Sequence, residues 1–299
     1  MSLISTSLLA VVLAGAPLLG AAADTKPKPS PPPGPTLEEK SLRAFKARSI
    51  GPALMGGRVS DIAFDPENPW TFYVGLATGG LMKTSDNGAS FEGVFEKEDV
   101  ASIGAVAVAP SDAKVVWVGT GEANDRNSSA WGKGVYRSTD GGATWANVGL
   151  KDSKAIARIL VHPKDPATAF VAVMGDLWGP SSERGLYKTT DSGKTWKAVL
   201  VAPSPYGNRV GCGDVALDPS DPNVLYATLY ARRRTPWSFT AGPDATDGKD
   251  LGGIFRTKDG GATWNKLGTG LPLATGRIGL DVFRKNPKIV YAVVQSFDG

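Results

Sequence analysis

The sequence predicts an all-β fold, a β-propeller built from four-stranded blades. An eight-residue pattern occurs four times: hydroxyl, any residue, Asp, any residue, Gly, any residue, hydroxyl, aromatic. Its acidic residues are Asp86, Asp140, Asp191 and Asp259, at spacings of 54, 51 and 68 residues. Segments with alternating apolar residues flank each copy, as strands require. Several short strands per long, fairly regular repeat are typical of a propeller.

The repeat itself has the chemistry of a tight turn. In the clearest copy, residues 138–145, Asp140 is followed by Gly141 and Gly142. An Asp carboxylate can accept hydrogen bonds from nearby backbone N–H groups, and Gly adopts the positive φ that other residues resist. Each copy is therefore predicted to form a β-hairpin tip, and its Asp to be structural rather than catalytic.

The pattern resembles the Asp-box, or BNR, repeat of sialidases, xyloglucan-type glycoside hydrolases, photosystem assembly factors and sortilin/VPS10 receptors. Its flanking segments, SIGPALMGGRVSDIAFDP and VVWVGTGEAN, are most similar to bacterial sortilin-like propellers, which often carry a glycosyl-hydrolase label. The resemblance covers residues 45–299 and implies a propeller of the sialidase superfamily type.

The chain begins with segments that are not part of the repeats. Residues 1–23 contain no charged side chain and end in three alanines, which predicts a signal peptide and a secreted or periplasmic protein. An uncleaved anchor is the alternative. Residues 24–36 are a Pro-rich, disordered linker, and residues 37–57 are a lead-in whose strand could close the ring. No other apolar run is long enough to span a membrane.

The remaining residues, 58–299, are assigned to blades that share one plan. Each starts with an inner strand that ends at a turn, followed by a second strand, a loop, a third strand, the Asp-box and a fourth strand. The predicted blades are 58–97, 102–150, 155–201, 211–269 and a truncated 277–299. About four and a half blades form a partial ring, so the protein is expected to continue into further blades beyond Gly299.

Blade topology places the loops after the second strands on the face opposite the Asp-boxes. These loops are irregular, and three of them combine a Trp with charged residues. They are interpreted either as a binding surface for a peptide, protein or glycan, or as loops whose Trp residues pack onto the blades. The predicted ligand contacts are Trp131, Trp178, Trp237, Arg126, Arg184, Arg232, Arg233, Arg234, Glu122 and Asp176.

Three charged residues occupy equivalent positions at the starts of inner strands. They are Asp61, Arg158 and Asp214, and all three are predicted to lie near the mouth of the central channel. Either a structural ion-pair network or a polar site would account for them.

No residue is assigned a catalytic role. Glycoside hydrolysis generally needs two positioned carboxylates, and no motif fixes such a pair. The resemblance implies that xyloglucanase-like relatives carry an Asp before the Gly-Gly pair, where this chain has Ala77. One His, His162, and one Cys, Cys212, exclude an intrachain disulfide and a Cys/His zinc site. No cofactor motif occurs, and a net charge of +4 is too small to indicate nucleic-acid binding.

Two functions from different classes follow. The favoured one is a secreted or periplasmic, sortilin-like binding propeller that takes a peptide, protein or glycan on its loop face. The alternative is a glycoside hydrolase of sialidase-like or xyloglucanase-like architecture. An assembly factor resembling the photosystem propellers is a further alternative.

Overall fold

A computed structural model describes residues 57–243 and 251–297. The predicted signal peptide, the linker and nearly all of the lead-in lie outside the described residues. The chain divides into two units, Met1–Ile50 and Gly51–Gly299, and the described residues all belong to the second. This part of the chain consists of strands and loops, and it contains no helix suited to crossing a membrane.

Three sheets share the same antiparallel order, with sequence neighbours paired. Blade 1 is β1 (Val59–Phe64), β2 (Phe72–Leu76), β3 (Gly80–Thr84) and β4 (Glu92–Gly93). Blade 2 is β5 (Ile103–Ala109), β6 (Asp112–Thr120), β7 (Val135–Ser138) and β8 (Ala146–Asn147). Blade 3 is β9 (Ile156–His162), β10 (Asp165–Val173), β11 (Gly185–Thr189) and β12 (Lys197–Leu200).

The last two sheets depart from this plan. Blade 4 is β13 (Val210–Leu217), β14 (Leu225–Arg234), β16 (Gly253–Thr257) and β17 (Asn265–Leu267), and β15 (Phe239–Gly242) also pairs with β14. Blade 5 has two described strands, β18 (Thr275–Val282) and β19 (Val290–Ser296). The all-β fold class and the partial ring predicted from the sequence are confirmed.

The region after β14 differs from the irregular loop that the sequence predicts. β14 runs on to Arg234 and pairs with β15 as a hairpin extension, in register from Ala231 with Gly242 to Arg234 with Phe239. A tight turn closes this hairpin, because the Thr235 amide donates to the Ser238 carbonyl at 2.9 Å. The three consecutive arginines therefore lie on a strand, where successive side chains point to opposite faces.

Apolar cores lie between successive sheets. The core between blades 2 and 3 includes Trp117 and Val171, both fully buried. Gly104 marks the tightest approach of the inner strands, because a Cβ there would lie 2.0 Å from the carbonyl oxygen of Ile156. Beyond these cores, the outer faces of blades 1 and 5 stay exposed, with Phe64 at 59% and Val293 at 80%.

A register shift recurs in the pairing of the inner strand with the second strand. It lies between Val59 and Asp61 in blade 1, and between Cys212 and Asp214 in blade 4. In each of these blades a charged side chain follows the shift directly. A bulge turns a side chain away from the regular pleat, so the repeated shift gives these residues equivalent positions in the ring.

Each Asp-box forms the predicted hairpin tip and repeats the same hydrogen bonds. Asp140 Oδ1 accepts from the Ser138 hydroxyl at 2.7 Å and from the Thr144 amide at 2.9 Å, and Oδ2 accepts from the Thr144 hydroxyl at 2.5 Å. The Gly142 amide donates to the Ser138 hydroxyl at 2.9 Å. The equivalent bonds surround Asp86, Asp191 and Asp259.

These bonds favour the ionised carboxylates. The hydroxyl four residues on makes the largest contribution at three boxes, and with the other donors it lowers the pKa of Asp86, Asp140 and Asp191 to about 2. At the fourth box the Thr257 hydroxyl contributes most, and the pKa of Asp259 is also lowered. Hydrogen bonds to the ionised form favour that form, so each carboxylate stabilises its turn as an anion.

Candidate functional site

The Asp-box turns and the predicted binding loops lie at opposite ends of the second strands. The Gly141 amide of the box donates to the carbonyl of Lys114, near the start of β6. At the other end of β6, the Gly121 amide donates to the carbonyl of Ser102. The loop rim is defined here as residues 121–134 and 174–184, which follow the second strands of blades 2 and 3, together with residues 230–242, which form the end of β14, the turn and β15 of blade 4.

One depression on the loop rim is built around Trp131, which is 58% exposed. The ammonium group of Lys154 lies 5.9 Å from the centre of the indole ring. Lys133 forms an ion pair with Asp99 at the same place. The depression has a volume of about 580 Å³ and is also lined by Thr78 and Lys151. We call it the Trp131 cleft; it combines an exposed aromatic face with charged hydrogen-bond donors.

A second depression, of about 900 Å³, contains four arginines and is called the arginine depression. Its charged and amide side chains are Arg58, Arg126, Arg234, Arg277, Asn124, Asp125 and Asn127. Arg277 donates to Asn124 Oδ1 at 2.9 Å, and Arg234 donates to the Asp125 carbonyl at 3.2 Å. Among the described residues that line it, Val59 is the one apolar side chain larger than alanine.

Glu122 holds Arg58, one of the four arginines of this depression, in position. Its carboxylate is fully buried and accepts two bonds from the Arg58 guanidinium, at 2.8 and 2.5 Å. This fork-to-carboxylate geometry fixes the plane of the guanidinium. Glu122 therefore orients Arg58 and does not itself face solvent.

Two of the predicted contact arginines are buried and hold the loops together. Arg232 is 3% exposed and donates to Asp125 Oδ1 and to the Ala123 carbonyl, at 2.5 and 2.6 Å. Arg184 is 1% exposed and donates to three backbone carbonyls of its own loop. Burial, followed by the charge of Arg232, lowers the pKa of Arg184 to about 9. These side chains set loop geometry, and a ligand on the rim would not reach them directly.

The other predicted contacts are dispersed over the rim. Asp176 Oδ1 accepts from the amide of Trp178 at 3.0 Å, and this Trp is half-buried. Trp237 is 94% exposed at the tip of the β14–β15 hairpin, and Arg233 is exposed on β14. The structure therefore brings Arg126 and Arg234 together in one depression and leaves Trp178 and Trp237 outside the two depressions.

Sequence reasoning did not select Arg58 and Arg277 as contacts. Arg58 directly precedes β1, and Arg277 lies near the start of β18. In an antiparallel pair, the start of the inner strand lies beside the end of the second strand, where the loop rim begins. Aligning the starts of the inner strands and looking for cations there would have found both residues.

Asp61, Arg158 and Asp214 form a network that links the inner strands. Arg158 donates to Asp214 Oδ1 at 3.1 Å and to Asp61 Oδ1 at 3.4 Å. Asp61 Oδ2 accepts from the Val106 amide, and Asp214 Oδ2 accepts from the Leu280 amide. Burial raises the pKa of Asp61, and the charge of Arg158 opposes that shift. The network connects blade 3 to blades 1 and 4.

Ala77, where the resemblance implies an Asp in xyloglucanase-like relatives, is fully buried. Its amide donates to the Arg58 carbonyl at 2.9 Å. The nearby carboxylates of Glu122 and Asp125 are engaged by arginines. Within the part of the chain that the structure describes, the loop rim thus presents cations more readily than a pair of free carboxylates.

Comparison with known proteins agrees with this architecture. The sequence model of the family described as "Sortilin, neurotensin receptor 3" matches residues 133–272. A crystal structure of an ancestral GH74 enzyme superposes with a TM-score of 0.58 at 21% identity, covering 81% of this chain and 30% of that one. The chain has a β-propeller fold with Asp-box turns. The resemblance inferred from the repeats is confirmed.

Curated relatives include xyloglucanases and vacuolar protein sorting/targeting proteins. A xyloglucanase from Paenibacillus sp is 24% identical over 263 residues, which is 78% of this chain and 22% of the relative. Xyloglucanase Xgh74A from Acetivibrio thermocellus is 26% identical over 77% of this chain and 27% of its own length. Vacuolar protein sorting/targeting protein 10 from Mycosarcoma maydis is 38% identical over 77 residues, 26% of this chain and 4% of the relative. The chain spans about a quarter of the xyloglucanases it matches.

Proposed function

We propose that the protein is a binding propeller that takes an extended glycan on its loop rim. The observation that carries the proposal is the Trp131 cleft, where an exposed indole face is surrounded by polar and charged donors. The apolar C–H face of a sugar ring packs on an indole while its hydroxyls take hydrogen bonds from the rim. Several relatives named xyloglucanases support a glycan as the ligand.

An extended peptide or protein segment is the competing ligand, since sortilin-type proteins also resemble this chain. Binding of a peptide usually centres on apolar or aromatic anchors in desolvated pockets. Among the described residues that line the arginine depression, Val59 is the one apolar side chain larger than alanine that could serve as such an anchor. The polar lining therefore favours a hydroxyl-rich or charged ligand.

A glycoside hydrolase is the second candidate, favoured by the names of the xyloglucanase relatives. Hydrolysis would need an acid and a second carboxylate on either side of a bound sugar. The rim carboxylates of Glu122 and Asp125 instead form ion pairs with Arg58 and Arg232. Reducing-sugar release from xyloglucan or β-glucan by the unaltered chain would favour the enzyme over the binding module.

The binding proposal is tested with two tryptophans of equal exposure on opposite rims. Trp131 and Trp70 are both 58% exposed, and the Trp70 carbonyl accepts from an Asp-box amide on the far side of blade 1. Affinity electrophoresis in gels containing xyloglucan, β-glucan or polygalacturonate measures retardation. We expect Trp131→Ala to lose retardation and Trp70→Ala to keep it. Equal retardation of the two variants, or no retardation of the unaltered chain in any gel, would refute the proposal.

We also propose that the protein is exported and that further blades cover its open faces. The uncharged, apolar residues 1–23 support export. The exposed Phe64, Tyr291 and Val293 on blades 1 and 5 support further blades, because packed propeller sheets bury such side chains. A periplasmic or culture-medium fraction lacking the protein would contradict export. If further blades cover these faces, the 299-residue chain should bind a hydrophobic dye strongly. A longer chain with additional blades should lose this dye binding.

A further inference from the structure

One loop contributes to both the Trp131 cleft and the arginine depression. Residues 130–133 line the Trp131 cleft, and residues 124–128 line the arginine depression. Both stretches belong to the loop between β6 and β7. Because one residue separates the two stretches along the chain, a chain-like ligand seated on Trp131 can extend to the arginine depression.

The two depressions are strongly cationic. Their basic lining residues are Arg58, Arg126, Arg234, Arg277, Lys133, Lys151 and Lys154. The acidic residues among the described linings are Asp99, paired with Lys133, and Asp125, paired with the buried Arg232. Seven basic and two acidic side chains line the depressions, whereas the whole chain has a formal net charge of only +4. Outside the linings, Glu122 pairs with Arg58 and Asp152 lies 3.9 Å from Lys154, so a cationic excess remains. Like charges held close together repel, and a bound anion relieves that repulsion.

We propose that the loop rim binds an anionic glycan, a chain of carboxylate-bearing sugars, with one ring stacked on Trp131 and carboxylates in the arginine depression. This inference rests on the proposed function and specifies its ligand class. A planar guanidinium matches a carboxylate with two parallel hydrogen bonds. Arg58 is held in place from behind by Glu122, so its guanidinium is pre-oriented before a ligand arrives.

A neutral glucan is expected to bind weakly to this surface. It would cover the four arginines without supplying charge, and their hydration would be lost without compensation. An acidic peptide would supply carboxylates but has no sugar ring for Trp131. A single-stranded nucleic acid offers both phosphates and stacking bases, and it therefore serves as a competing outcome of the test.

The experiment uses the 299-residue chain and isothermal titration calorimetry with four probes. Polygalacturonate carries the carboxylates, and fully methyl-esterified pectin presents the same backbone without them. Dextran sulfate and single-stranded oligo(dT) report general polyanion binding. We expect polygalacturonate to bind at least about tenfold more tightly than its methyl ester, and its affinity to fall with added salt, as a charged interface requires.

Variants separate the two parts of the site. Arg126→Ala combined with Arg277→Ala should weaken polygalacturonate binding by about tenfold or more and leave the weak binding of the methyl ester unchanged. Trp131→Ala should weaken both. Lys194→Ala, in the Asp-box turn of blade 3 on the opposite rim, is the matched control for a lost cation. A denaturation midpoint equal to that of the unaltered chain shows that a variant is folded. Arg277→Lys is a further control, because it keeps the positive charge at this position.

The outcomes distinguish this inference from the proposed function. Equal affinity for polygalacturonate and its methyl ester, with both dependent on Trp131, would overturn the anionic ligand and leave glycan binding intact. Binding of dextran sulfate or oligo(dT) as tight as that of polygalacturonate, insensitive to Trp131→Ala, would also overturn it. Binding of no polysaccharide at all would remove both.

Discussion

The Asp-box turn provides a sharp test of how the blades are held. Ser138 is 1% exposed, and its hydroxyl donates to Asp140 Oδ1 at 2.7 Å and accepts from the amides of Asp140 and Gly142, at 3.2 and 2.9 Å. Ser138→Ala removes these three bonds and leaves the buried Gly142 amide without this acceptor. An orphaned buried donor costs about 1–3 kcal/mol, and the lost hydroxyl bond adds about 1 kcal/mol. We expect unfolding free energy to fall by about 2–4 kcal/mol.

The neighbouring Thr139 is the matched control, because its side chain is exposed and lies in the same turn. Thr139→Ala should change the free energy of unfolding by less than about 0.5 kcal/mol, as is usual for a surface substitution. Urea denaturation followed by tryptophan fluorescence measures both variants, and an unchanged slope shows that the unfolding reaction is the same. Equal midpoints for Ser138→Ala and Thr139→Ala would refute the account of the turn.

Three further predictions concern the ring. The Asp-box carboxylates have pKa values below the ordinary value, so the stability they contribute is present above about pH 4 and lost as pH falls toward 2; urea midpoints measured across this range should drop. Arg158→Met leaves Asp61 and Asp214 without their cation and should cost about 1–3 kcal/mol, because Arg158 is partly solvent-exposed; calorimetry measures the loss, and no change would contradict the network. Trp196→Phe removes the 2.7 Å bond to the Val148 carbonyl and should cost about 1–2 kcal/mol, whereas a neutral effect would show that packing alone matters.

The hairpin tips could be predicted because their interactions are local. Asp140 bonds to Ser138 and Thr144, so all partners fall inside the eight-residue pattern. The closing aromatic, by contrast, also makes a contact outside its own repeat, because the Trp196 indole donates to the carbonyl of Val148 in the preceding blade. A single repeat cannot reveal that contact, because the partner is brought near only when blades pack.

The candidate site was harder to predict for the same reason. Arg184 and Arg232 look like ordinary loop cations, since charged residues are mostly exposed. Backbone carbonyls from several loop segments enclose them, and the sequence contains no sign of those carbonyls. Arg58 and Arg277 come from the first and last described blades and meet only because the ring curves. By contrast, Arg126 and Trp131 stand exposed on the loop rim where blade topology placed them.

Hydrogen–deuterium exchange with bound polygalacturonate tests most directly whether ligands bind on the loop rim. The exchange of each peptide is compared with and without the polysaccharide. We predict slower exchange in residues 121–134 and 230–242, and unchanged exchange in the Asp-box turns at 138–145 and 189–196. Protection of the Asp-box turns, with residues 121–134 unaffected, would contradict the account.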